Sequence, residues 1–460
     1  MKSLWSQTVN IEEREKLTGD IRAKNVVIGA GIAGILIAYL LQEKGQEVIV
    51  LEAKTIASGQ TKNTTAKITS QHGLIYSDML KNAGRSIAKS YALANEDAIK
   101  EYKRIITKEG IACHFEELPS FLFSTEEKGV DKLIQEAEVA KELGIKAEYV
   151  DGKKIEELPF DVKGAVRFDG QAQFHPLEFI QQIAKKLTIY EHAKVLEVDG
   201  HFVITNQGVV VADNVIFATH YPFSIVPGFY FLRQHQDRSF VLALNGKGVP
   251  DKLDGMYYGI DEEVFSFRMI EGKLLFGGGG RRTGKQNSMT EGFCYLTKKA
   301  NEFYPEAEEV ARWSAQDCMP HDRIPFIGKF SLKQDNWYVA TGFQKWGMTT
   351  AMVAAMVLSD KITKKRNPYE DAFTPQRFLL KAGMKNFFVD VWESVAGLTK
   401  GLFVQQKRVC SHMGCALQWN EEEKTWDCAC HGSRYDENGR LIDNPAQKNI
   451  ESKETDKKEI

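Results

Sequence analysis

The chain has 460 residues, enough for about two or three domains with a large core. Its 60 basic and 62 acidic residues leave a formal charge of −2 with no long basic tract, so nothing in the balance favours nucleic acid. Seven cysteines, of which Cys113, Cys294 and Cys318 are scattered, do not make a secreted disulfide framework.

The first residues, Met1-Lys-Ser-Leu-Trp-Ser-Gln, lack the basic-then-apolar layout of a signal peptide. The most apolar run, Val26 to Leu41, is too short and too broken by glycine to span a bilayer. A cytoplasmic protein without a membrane span is expected. Lys24-Asn-Val-Val-Ile predicts a buried strand, and Ile35 to Lys44 an apolar helix, with Gly29, Ala30, Gly31, Ile32, Ala33 and Gly34 between them. A second strand, Glu47 to Leu51, ends on Glu52 and Ala53. Strand, glycines, helix, strand and acid at this spacing predict a dinucleotide site, although an ordinary βαβ unit with incidental glycines shares the pattern. The glycines let the backbone approach a pyrophosphate at the helix N-terminus. Glu52 can accept hydrogen bonds from a ribose diol, which argues against a 2′-phosphate.

The next stretch, Ser58-Gly59-Gln-Thr-Lys-Asn-Thr64-Thr65-Ala66-Lys67-Ile68-Thr-Ser-Gln-His72, resembles the glycine/D-amino-acid oxidase family. Three later segments match in order: Asp213 to His220, Asp322-Arg-Ile-Pro325-Phe-Ile-Gly328, and Trp337 to Thr349. The resemblance covers about residues 20–370 and implies FAD as cofactor. It places Gly59, Thr64, Thr65, Ala66, Lys67 and Ile68 along the pyrophosphate and isoalloxazine, and Val195, Ala218, Thr219 and His220 near the nucleotide half. It also sets Gly342, Phe343, Gln344, Lys345, Trp346, Gly347, Met348 and Thr349 at a helix start near the flavin pyrimidine, where the dipole favours anionic reduced flavin.

Ser86–Val150 reads as helix-rich and charged, and Phe229–Ala311 as strands. In the resembled family such regions supply an antiparallel substrate sheet over the flavin. Arg268 and Arg281 are candidates to grip a carboxylate, or are surface arginines. Tyr257 and Tyr258 could shape an amine pocket or simply pack. The family's chemistry is hydride transfer from a carbon beside an amine nitrogen onto flavin, which needs no catalytic triad, and none is visible. Lys67 and Lys345 are candidates to stabilise reduced flavin or polarise oxygen, with Arg268 the third catalytic candidate; solvated surface lysines are the plain alternative. Cys318 falls near where some sarcosine oxidases attach flavin, or is a free buried thiol.

Toward the end stand Cys410-Ser-His412-Met-Gly-Cys415 and Cys428-Ala-Cys430-His431-Gly-Ser433-Arg-Tyr435. These boxes resemble the Rieske proteins, which implies Cys410, His412, Cys428 and His431 as ligands of a 2Fe–2S cluster. A zinc knuckle would show paired Cys-x-x-Cys and His-x-x-x-His spacing instead. The resemblance further implies a Cys415–Cys430 disulfide and hydroxyl donors at Ser433 and Tyr435, features of the high-potential, quinol-oxidising kind. Only Leu402 to Val409 reads as a strand before the first box, so the module is shortened; Phe378 to Leu402 reads as an apolar helix.

The expected fold is α/β (α+β): a Rossmann-like FAD domain with an inserted antiparallel substrate sheet, plus a small all-β Rieske module. Residues 1–85, 146–228 and 312–372 are assigned to the FAD domain, and 86–145 and 229–311 to the substrate domain. Residues 373–401 are read as a helical linker, 402–450 as the cluster module and 451–460 as a disordered tail. The leading functional reading is FAD-dependent oxidation of an amine or amino acid, with electrons leaving through the cluster to a one-electron or quinone-type acceptor. An electron-transfer protein reduced by a redox partner is the alternative, and a structural appendage without a cluster is a third reading.

Overall fold

The computed structural model describes residues 2–285, 291–377, 396, 398–399 and 408–450. Strand Ile21–Ile28 pairs in parallel with Val48–Leu51 on one side and Val209–Phe217 on the other. Thr188–Tyr190 extends the sheet beyond Val48–Leu51, and Gln334–Thr341 adds to Val209–Phe217, both in parallel. A parallel sheet needs cover on both faces, which is why its strands read as unbroken apolar runs. Helix Ile32–Glu43 supplies part of that cover. It is buried at every position from Ile32 to Leu41, because helix Gly347–Ile362, itself almost wholly buried, packs against it.

A second sheet lies beside the first. Its order is Ala307–Pro320, Gln234–Gly246, Lys273–Arg282, Ser266–Ile270, Met256–Gly259, Ser120–Ser124, Gly164–Phe168 and Ala147–Asp151. Neighbours run antiparallel except Met256–Gly259 beside Ser120–Ser124. Three of these strands depart from the expected segments: Ala147–Asp151 and Gly164–Phe168 fall within 146–228, and Ala307–Pro320 runs past 311. The reason is pairing at long range. Phe121, Leu122 and Phe123 find partners on Gly164–Phe168, some forty residues away, and local pattern cannot show this. Helices Arg85–Glu109 and Glu127–Leu143 flank this region, and helix Gly292–Phe303 interrupts the run expected to be strands alone.

The start of the expected linker belongs to the main body. Phe373 closes helix Glu370–Phe373, and the Arg377 guanidinium is held by both Asp322 oxygens and by the carbonyls of Pro325, Phe373 and Thr374. Most of 373–401, residues 402–407 of the strand expected from Leu402 to Val409, and the tail lie outside the described residues. Val409 makes a single bridge to Ala416. The C-terminal module is an antiparallel meander of Leu417–Asn420, Thr425–Cys428, Arg434–Asp436 and Leu441–Asp443.

The module is docked on the main body. Gly432 sits so close to strand Gln234–Gly246 that an added Cβ would stand 2.6 Å from the Gln236 Cβ, and Gly284 approaches the Ala429 backbone as tightly. Arg238 of the main body pairs with Glu423 of the module, which also meets Arg434 at 3.0 Å; Arg434 reaches Asp427 at 3.0 Å. Among the described residues no helix is long and apolar enough to cross a membrane.

Candidate functional site

One cavity of about 910 Å³ runs along the C-terminal ends of the parallel strands and under the second sheet. Gly29, Gly31, Ile32 and Ala33 form its floor at the start of helix Ile32–Glu43, which has no side-chain cap. The Ile32 N–H donates to the Thr61 hydroxyl at 2.9 Å, and the helix dipole favours an anion at this end. The glycines differ in cause. A Cβ on Gly34 would stand 1.8 Å from the Gly29 carbonyl oxygen, so Gly34 sets the approach of helix to strand and does not face the cavity. A Cβ on Gly31 would meet only the Thr61 hydroxyl, at 3.2 Å. The Glu52 carboxylate accepts from the Ala30 and Lys54 N–H groups, both at 2.8 Å, and burial raises its pKa.

Ala53, Gly59, Thr64, Thr65, Lys67, Val195, Ala218, Thr219 and His220 also border the cavity, as do Phe343, Gln344, Lys345, Trp346, Gly347 and Met348. Ala30, Ala66, Ile68, Gly342 and Thr349 do not border it. Thr349 hydrogen-bonds His72 and the Thr69 carbonyl, and His72 stacks on Trp346 at 5.0 Å. The Lys67 ammonium donates to the Tyr257 carbonyl and to Ser266. Burial, with the Arg268 charge adding to it, pulls the Lys67 pKa down to about 7. Burial also acts on Lys345, but Asp317, Tyr258 and Asp237 outweigh it and hold the pKa above the ordinary lysine value. Lys345 donates to Ser239 at 2.6 Å.

The two candidate carboxylate clamps are engaged elsewhere. Arg268 is fully buried and donates to the carbonyls of Thr65 and Ala66, at 2.6 and 2.9 Å, and does not border the cavity. It pins the backbone of the 58–72 stretch, and is corrected here from a substrate-facing role. Arg281 pairs with Glu422 of the C-terminal module at 3.5 Å. Trp5 and Trp313, which the sequence reading passed over, complete the pinning: their indole N–H groups donate to the Thr64 and Asn63 carbonyls. A Ser-Leu-Trp start, with Ser3 as helix cap, was the available signal. Tyr258 borders the cavity, whereas Tyr257 stacks on Phe121. Cys318 is buried, and its thiol faces the His220 carbonyl.

In the C-terminal module the two boxes converge. Cys410 and Cys428 are buried, and the His412 and His431 rings lie 5.0 Å apart, edge to face. The neighbouring Cys428 thiol pulls the Cys410 pKa down to about 6, and burial lowers His412 to about 4. The His412 Nδ1 is buried without a hydrogen-bond partner. The Cys410 thiol held toward its thiolate, the Cys428 thiol buried beside it with its pKa pushed up, and an imidazole with an unused nitrogen are the donor set a 2Fe–2S cluster takes. Cys415 and Cys430 are joined in a disulfide that ties the two loops. Tyr435 Oη lies 3.4 Å from Cys410 Sγ and accepts the Ser411 N–H, while Ser433 Oγ accepts the Ala446 N–H. Removing the phenol in Tyr435→Phe takes away one hydrogen bond to a ligand sulfur. The expected result is an intact cluster whose potential falls by about 50 mV, read by a redox titration.

A dinucleotide cradle under an antiparallel sheet, joined to a paired Cys–His module, defines a flavin-dependent oxidoreductase with an iron–sulfur domain. The chain belongs to the family of FAD dependent oxidoreductases (DAO), whose model matches residues 24–361, and a Rieske [2Fe-2S] domain matches residues 381–454. It is 32% identical to a protein of Bacillus subtilis (strain 168) carrying the name Rieske 2Fe-2S iron-sulfur protein YhfW, over 99% of this chain and 98% of that one. Over 42 residues, 9% of this chain and 24% of the relative, it is 45% identical to the cytochrome b6-f complex iron-sulfur subunit 1 of a Nostoc species. The fold is similar to glycine oxidase from Geobacillus kaustophilus, with a TM-score of 0.63, 19% identity, and 78% of this chain and 99% of that one covered. L-proline dehydrogenase from P. horikoshii is similar at a TM-score of 0.64 and 18% identity, covering 79% and 98%. The protein is an enzyme whose cofactors are FAD and a Rieske-type 2Fe–2S cluster.

Proposed function

We propose that the chain oxidises the C–N bond of an amine and that the electrons leave singly, through the cluster, to an outside one-electron or quinone-type acceptor. When bound, FAD supplies a two-electron acceptor and the cluster a one-electron carrier. The substrate carbon beside nitrogen gives up a hydride, and water hydrolyses the resulting iminium. Lys67, with a pKa near 7, can take the proton of a substrate ammonium above that pH and present a cation below it. Lys345 keeps its positive charge throughout. In this reading Cys410, His412, Cys428 and His431 hold the cluster, and Gly29 to Gly34 with Glu52 hold the dinucleotide.

The observation that carries the relay is the fixed docking of the cluster loop at the cavity. Gln316 borders the cavity, donates its backbone N–H to Gln60 Oε1 there, and donates from its side chain to the Gly432 carbonyl beside His431. Gln236 donates to the His431 carbonyl itself at 2.7 Å. A second observation bears on substrate. Among the described cavity residues the guanidinium groups are Arg238 and Arg434, and both are taken up by Glu423. Glu262 and Glu263 border the same cavity, while Asp237 and Asp317 there hold the Lys345 charge. A cationic amine therefore suits it better than an amino acid seeking a carboxylate clamp, although solved structures of similar fold are named for glycine and L-proline.

The test is an anaerobic visible-spectrum screen of the full chain against polyamines, N-methylated glycines and D-amino acids. Polyamines or N-methylated amines are expected to bleach the flavin band first and the cluster band after it. Bleaching by a reduced protein or quinol, and by none of the amines, would select the electron-transfer reading instead.

A further inference from the structure

The last strand of the cluster module and the turn after it form one side of the dinucleotide cavity. Ile442, Asp443, Asn444 and Gln447 border it, opposite Glu52, Ala53, Lys194 and Val195. The two sides are tied together by hydrogen bonds. Lys54 Nζ donates to the Ile442 carbonyl at 3.1 Å, Gln60 Nε2 to Asp443 at 3.0 Å, and Lys194 Nζ to the Gln447 carbonyl. Asn444 Nδ2 donates to the carbonyls of both Thr219 and Tyr221, at 2.6 and 2.8 Å. The FAD family match ends at residue 361, so this wall comes from a part of the chain outside the flavin family's own sequence.

We propose that residues 441–449 of the cluster module are part of the FAD-binding site, closing its adenosine half, so that FAD is held by both bodies of the chain. The proposal rests on the reading that the Gly29–Gly34 turn holds the pyrophosphate and Glu52 the ribose. Geometry leads from there: beyond Glu52, Ala53 and Val195 line the same cavity as Ile442, Asp443 and Asn444 of the module. FAD retention then depends on the module staying docked, and cofactor loading is coupled to the folding of the cluster domain.

Amide hydrogen exchange of the full chain tests this, comparing cluster-loaded protein stripped of FAD with the same protein reloaded. Reloading is expected to slow exchange at 441–449 by at least about tenfold, together with the Gly29–Gly34 turn. Slowing at the turn with no change at 441–449 overturns the proposal. No slowing at either place overturns the placement of the dinucleotide itself, and the proposal with it. A second measurement uses Asn444→Ala in the full chain, following FAD release by the fluorescence of free flavin. Loss of two hydrogen bonds is expected to speed release by about tenfold with the cluster's paramagnetic signal unchanged. Release at the parent rate in a cluster-loaded variant refutes the contribution of this segment.

Discussion

Glu423→Gln is expected to cost about 3–5 kcal/mol of stability and to loosen the cluster module from the flavin body. Glu423 is 6% exposed and stands between two guanidinium groups, Arg238 of the main body and Arg434 of the module. Arg434 keeps Asp427 and Asp443 when the charge is removed. Arg238, itself 2% exposed, keeps Ser314 and Gln316 among the described residues, neither of which carries a charge to compensate its own. Thermal unfolding of the full chain measures the loss. Removing both charges in Arg238→Met with Glu423→Gln should recover much of it, and a double variant no better than the single one would locate the defect elsewhere. The same pair predicts acid sensitivity. Burial pushes the Glu423 pKa up, but the two arginines outweigh it and hold it at about 2, below its ordinary value of 4.5. A carboxylate depressed in the folded state contributes stability that is complete above the unfolded pKa and disappears as pH falls toward the folded one. The native chain should therefore lose about 3 kcal/mol between pH 4.5 and 2 from this group, and the variant should not, so their stabilities converge at the acid end.

Gly31→Val is expected to yield folded protein with less than about a tenth of the parent FAD content. The isopropyl group would enter the cavity at the helix start, and the one near atom an added Cβ meets is the Thr61 hydroxyl at 3.2 Å. Nothing in the backbone has to move, so the fold and the cluster should survive. Gly34→Val provides the contrast. Its side chain would collide with the Gly29 carbonyl at 1.8 Å, and neither backbone segment can yield without separating helix from strand. That variant should lose thermal stability as well as flavin. Flavin absorbance and iron content of the two purified variants separate the outcomes. Normal FAD in Gly31→Val would show that the cofactor lies elsewhere.

What the sequence determined by itself were the features carried by short local spacing. Gly29, Gly31 and Gly34 between two apolar strands defined a dinucleotide cradle, because strand, tight turn and helix are consecutive in the chain. The two Cys–His boxes defined the cluster module for the same reason, as each box is a single loop. Tertiary structure alone decided what distant residues do to one another. Arg268 and Arg281 were read as carboxylate clamps because a strand pattern shows alternation but not what lies above it. One pins the Thr65 and Ala66 carbonyls and the other an acid of a module 141 residues away. The strands Ala147–Asp151 and Gly164–Phe168 joined the second sheet because Ser120–Ser124 needed a partner, a choice made by register between remote segments. The closing of the cavity by residues 441–449 was likewise invisible in sequence. Nothing local to Asn444 reports that its amide will meet the carbonyls of Thr219 and Tyr221, since that contact exists only once two separately encoded bodies have docked.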